Sequence, residues 1–131
     1  MLDTHIALWA VTADARLPTR ARDMIVDPDN DVWVSAASVW EIAIKHAKTA
    51  ARPGGLKVSA PQALSAFEEA GYGILPIHGP EAATAGALPP HHLDPFDRML
   101  VAQALTTPLR LVTVDGVLGR YSDTVIVVRR A

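Results

Sequence analysis

Short apolar runs alternate with helix-patterned stretches along this chain, and each of four blocks sets an acidic residue beside an apolar run. The blocks are Leu-Asp-Thr-His at 2–5, Ser-Val-Trp-Glu at 38–41, Asp-Pro-Phe-Asp-Arg at 94–98 and Val-Thr-Val-Asp at 112–115. Runs of this length between helical patterns read as strands of a parallel sheet. The helices of such a sheet cover both of its faces. Chemistry in open sheets of this kind gathers outside the carboxyl ends of the strands. Asp3, Glu41, Asp97 and Asp115 are therefore expected to converge on one site although they span over a hundred positions. Crowded carboxylates repel one another and call for a counter-charge, most simply a divalent cation held through oxygen. The pattern implies metal-dependent phosphoryl-transfer chemistry.

The 131 residues are expected to form a single domain, 1–131, and a hydrophobic fraction of 50% suffices for a core. Cysteine is absent, which excludes a disulfide framework and a thiolate metal site and fits a reducing cytoplasm. No apolar run approaches the roughly 20 residues of a bilayer span, and the first residues do not resemble a signal peptide. A net charge of −2 argues against a protein that coats nucleic acid through a broadly basic surface. It leaves room for a nucleic-acid enzyme, because bound metal supplies positive charge where phosphate sits.

Helices are expected over 4–11, from 17 through 25, over 38–50, 61–70, 80–87 and 97–105. Strands are expected at 32–35, 72–77, 111–114 and 125–128. Only Met1 and Leu2 precede Asp3, so either the first strand is very short or the native start lies upstream of Met1.

Several site candidates carry two readings. Asp3, with Thr4 beside it, suits both a metal ligand and a helix N-cap. Glu41 completes a Ser-x-x-Glu capping box with Ser38 and has Lys45 one helical turn on, so by itself the structural reading is the simpler one. Asp94 before Pro95 is the better cap of its helix, leaving Asp97 near the positive end of the helix dipole. Asp115, between Val114 and Gly116, suits a turn as well as a ligand. His5, His91 and His92 are weaker ligand candidates, and Trp9, Trp33 and Trp40 read as core or interface residues. The chain lacks a nucleophile elbow, a phosphate-binding glycine loop and zinc-ligand spacing.

Taken together, residues 2–9, 34–45, 91–104 and 111–115 resemble the PIN-domain family, and more narrowly its VapC-type ribonuclease toxins. The resemblance implies a three-layer α/β/α sandwich with a mainly parallel central sheet. It implies Asp3, Glu41, Asp97 and Asp115 as catalytic and metal-binding acids, supported by Thr4, Ser38, Asp94 and Thr113. It implies Mg²⁺ or Mn²⁺ as cofactor, RNA as substrate, a cognate antitoxin as partner and a homodimer. Arg98 and Lys45 are the residues expected to meet substrate phosphate. Two other classes compete. A haloacid-dehalogenase-type phosphatase needs an acid two residues after Asp3, where His5 stands. A degenerate PIN scaffold that only binds RNA is disfavoured by the presence of all four acids.

Overall fold

The computed structural model describes residues 1–129. Helices α1 (Thr4–Val11), α2 (Thr19–Val26), α3 (Ala36–Thr49), α4 (Ala60–Glu69), α5 (Gly79–Ala87) and α6 (Pro95–Thr106) alternate with strands β1 (Trp33–Ser35), β2 (Gly73–Leu75), β3 (Leu111–Thr113) and β4 (Val125–Val127). A 3₁₀ turn at Leu118–Arg120 precedes β4. β1 pairs in parallel with β2, and β3 in parallel with β4.

Leu2 joins the two pairs. It bridges Val34 on one side and Val112 on the other, both in parallel, and the amides of Leu2 and Asp3 donate to Trp33 O and Val112 O at 2.9 Å. The first strand is thus reduced to one bridging residue at the centre of the sheet. Counting it as first, the strand order is 3-2-1-4-5, and the chain reverses direction of travel between Leu2 and β3. Such a switch point opens a crevice at the carboxyl end of the strands.

Three layers follow from the alternation of side chains along each strand. Leu2, Val34 and Val112 face one core, where they meet Ile6 and Trp9 of α1, Ile42 of α3 and Phe67 of α4. Their neighbours Met1, Leu111 and Val125 face a second core with Leu100, Val101 and Ala104 of α6. Phe67 is fully buried, worth about 2–3 kcal/mol in apolar transfer alone. Among the described residues no helix is long and apolar enough to cross a membrane.

The start of α3 departs from expectation. The helix begins at Ala36 with Ser35 as its N-cap, the Ser35 hydroxyl accepting from Ala37 N–H at 3.0 Å. Ser38 and Glu41 therefore lie inside the helix and form no capping box. Their side chains point elsewhere.

Candidate active site

Asp3 is the N-cap of α1 and is almost wholly buried. Its Oδ1 accepts from Thr4 N–H at 2.6 Å, and its Oδ2 accepts from the Thr113 hydroxyl at 2.6 Å. The cap reading of this residue holds, and the oxygen left over from the cap is held by a hydroxyl at the end of β3. Thr113 at the end of β3 also accepts from Asp115 N–H at 3.0 Å, so one buried hydroxyl ties two acids together.

Thr4 performs the same service on the other side. Its hydroxyl donates to Glu41 Oε1 at 2.6 Å and lies 2.8 Å from Ser38 Oγ. Ser38 is fully buried beneath this contact. The hydroxyls of Thr4 and Thr113 thus touch the acids directly, and Ser38 reaches them only through Thr4.

Asp94 caps α6, its Oδ1 accepting from Phe96 and Asp97 N–H at 2.8 and 3.3 Å, with Pro95 in the first turn. Asp97 stands one turn in. Asp115 divides its oxygens: Oδ1 accepts from Val117 N–H at 2.9 Å and shapes the turn, while Oδ2 faces His92 Nε2 at 3.1 Å. The same nitrogen lies 3.4 Å from Asp97 Oδ2. One ligand atom from each of His92, Asp97 and Asp115 falls within 4.8 Å of the others.

The electrostatics record the crowding. Burial, then the charges of Asp3, Asp94, Glu41 and Asp115, push the Asp97 carboxyl up to about 8. Burial raises Glu41 despite the Thr4 hydroxyl, with Asp94 and Asp3 adding to the rise. Burial likewise raises Asp3 against the opposing pull of Thr113, His5 and the Thr4 amide. A cluster of carboxyls that resists its own ionisation favours a cation, and its carboxylate oxygens are hard donors that fit a divalent one. Asp97 and Asp115 bring oxygens within reach of one ion, and Asp3 and Glu41 are close enough to raise the Asp97 carboxyl, so these four could hold it.

The chain matches the PIN domain family over residues 1–123. It belongs to that family. PIN domains are in general metal-dependent nucleases, and the acid cluster at the carboxyl end of this PIN sheet agrees with that character. No curated protein matches the chain.

The two candidate phosphate-binding residues fare differently within this PIN domain. Lys45 is exposed, one turn beyond Glu41, with its Nζ 3.2 Å from His5 Nε2. It borders a depression of about 300 Å³ that Trp9, Arg16 and Lys57 also line. The Arg98 guanidinium is engaged by backbone carbonyls. Its Nη2 donates to the Ala85 and Leu88 carbonyls at 2.8 and 3.0 Å, and its Nη1 to Pro89 and His92 at 3.2 Å. Spacing placed it beside Asp97, but residues adjacent on a helix point about 100° apart. It holds the loop before α6.

His92 is the residue that sequence reasoning undervalued. Adjacency to His91 argued against a shared site, and the two rings do part: His91 packs edge-on against Tyr121 with centroids 5.0 Å apart, while His92 turns to the acids. No local signal in the sequence distinguishes one from the other. Of the tryptophans, Trp9 is buried, Trp33 packs against the second core, and Trp40 is 63% exposed with its ring edge on Phe96.

Proposed function

We propose that this PIN domain is a metal-dependent endoribonuclease, the toxin of a VapC-type toxin–antitoxin pair acting in the cytoplasm. The observation that carries the reading is the convergence of Asp3, Glu41, Asp97 and Asp115 with the Asp97 carboxyl pushed to about 8, a site that favours cation binding. Family membership supports the nuclease half of the proposal. The toxin role, the antitoxin partner, the homodimer and the choice of RNA rest on the resemblance of residues 2–9, 34–45, 91–104 and 111–115 to VapC-type proteins.

A bound Mg²⁺ or Mn²⁺ would supply positive charge for the phosphate and lower the pKa of a water. The protein's share is orientation. Thr113 and the Thr4 amide fix both oxygens of Asp3, and the Thr4 hydroxyl fixes Glu41 relative to it. Asp94 holds the first turn of α6 and with it the backbone of Asp97. Lys45 offers a positive charge at the rim, where the backbone of an RNA strand would run.

The test is cleavage of a single-stranded RNA by the purified protein with Mn²⁺ or Mg²⁺, beside Asp97→Asn and a chelator control. Cleavage that requires both the ion and Asp97 supports the proposal. Ion binding with RNA binding but no cleavage identifies a scaffold instead.

A further inference from the structure

His92 is held from several directions. Its backbone N–H donates to Tyr121 Oη at 2.8 Å, its carbonyl accepts from Arg98 Nη1 at 3.2 Å, and its Nδ1 accepts from Asp94 N–H at 3.0 Å. Arg98 also ties the carbonyls of Ala85, Leu88 and Pro89, and the Tyr121 hydroxyl donates to Pro89 O at 2.9 Å. Side chains from α6 and from Tyr121, just after the 3₁₀ turn, thus clamp the loop 88–93 and aim one ring into the acid cluster.

The Asp94 contact decides what that ring can do. A ring nitrogen that accepts a hydrogen bond carries no hydrogen, so the hydrogen sits on Nε2. Nε2 then donates to Asp115 Oδ2 at 3.1 Å and lies 3.4 Å from Asp97 Oδ2, with no lone pair to offer an ion. Acids from two separate elements flank this one N–H, and Asp115 accepts it.

We propose that His92 is a positioning residue that stands between Asp97 and Asp115 in the ion-free protein, donating to Asp115, and must withdraw when a divalent cation takes the same oxygens. The ring is a competitor of the ion rather than one of its ligands. The inference rests on the metal reading of the proposed function. It explains why loop 88–93 is clamped so heavily: a ring that stands in for a cation must be returned to one place each time the ion leaves. It also gives Arg98 its task, through the loop and away from substrate.

Mn²⁺ binding measured by calorimetry, in the absence of RNA, tests it. His92→Ala removes one hydrogen bond to the carboxylates and is expected to bind Mn²⁺ about fivefold tighter than the unaltered protein. His92→Gln, which keeps an amide donor, is expected to return to within about twofold, and it guards against a folding defect in the alanine variant. Nitrogen-15 spectra of the ring, in ion-free protein, are expected to show the hydrogen on Nε2 and a change at that atom on adding Mg²⁺. Equal affinity in His92→Ala overturns the proposal, and weaker binding makes the ring a ligand and overturns it too. An unaltered protein that binds no Mn²⁺ is a separate failure, of the metal reading itself and therefore of this proposal with it.

Discussion

Replacing Asp97 by Asn should stabilise the ion-free protein while destroying its activity. The folded carboxyl stands at about 8 against an ordinary 3.8, a difference of about four pH units. At about 1.4 kcal/mol per unit the ceiling is about 6 kcal/mol, and screening of a partly solvated group brings the working figure to about 2–3 kcal/mol. The sign follows from proton linkage. The folded state holds the proton more tightly than the unfolded chain, so Asp97 costs no stability below pH 3.8, and its cost grows as pH rises until it levels off above 8. Asn has no such proton to lose. The variant should therefore melt on the order of 10 °C higher than the unaltered protein at pH 8.5 in EDTA, at about 3–5 °C per kcal/mol for a chain of this size. The gap should shrink as the pH falls toward 5 and vanish below about 3.8. Saturating Mn²⁺ should narrow it from the other side, since an ion at a hundred times its Kd adds about 2.7 kcal/mol to whichever protein binds it. Thermal unfolding at pH 5, 7 and 8.5, with and without Mn²⁺, reads all of this. A melting difference that is absent at pH 8.5, or that does not change with pH, would show that Asp97 is not crowded by its neighbours.

Glu41→Gln keeps the shape that accepts from the Thr4 hydroxyl, so melting should stay within a few degrees while RNA cleavage falls by orders of magnitude; loss of both together would make Glu41 a structural residue. Thr113→Val removes a fully buried hydroxyl that serves Asp3 and the Asp115 amide, and about 1–3 kcal/mol of stability should go with it in urea unfolding. Lys45→Ala should weaken RNA affinity and lower its dependence on salt by about one counterion, measured by titration at several salt concentrations. Arg98→Ala should instead leave that salt slope unchanged and expose loop 88–93 to faster hydrogen exchange; a flattened slope would return Arg98 to the phosphate.

Much of this protein was legible in order but not in orientation. Strand positions came through because short apolar runs and their breakers are local signals, and the expected 32–35 and 125–128 differ from the observed strands by one residue. Asp94 read correctly as the cap of α6, since Asp before Pro is a local device. Ser38 and Glu41 were misread as a capping box because that pattern recurs wherever Ser and Glu fall three apart. Ser35, two residues after the strand's Trp33, took the cap, and the hydroxyl of Thr4 drew Ser38 and Glu41 into the site.

The sequence by itself determined the alternation of elements, the two-faced strands that make three layers, and the four acids that follow or flank them. These depend on residue type and near-neighbour spacing, which the chain carries along its length. Tertiary structure alone decided that Leu2, a single bridging residue, would sit between Val34 and Val112 and so bring Asp3 and Thr113 into contact across 110 positions. It decided as well that Arg98 would turn to four carbonyls and His92 to two carboxylates. Side-chain direction at a helix start or in a proline loop is set by which donors and acceptors the folded neighbours leave open, whether those lie a few positions away, as for Arg98, or on a distant element, as for His92 and Asp115.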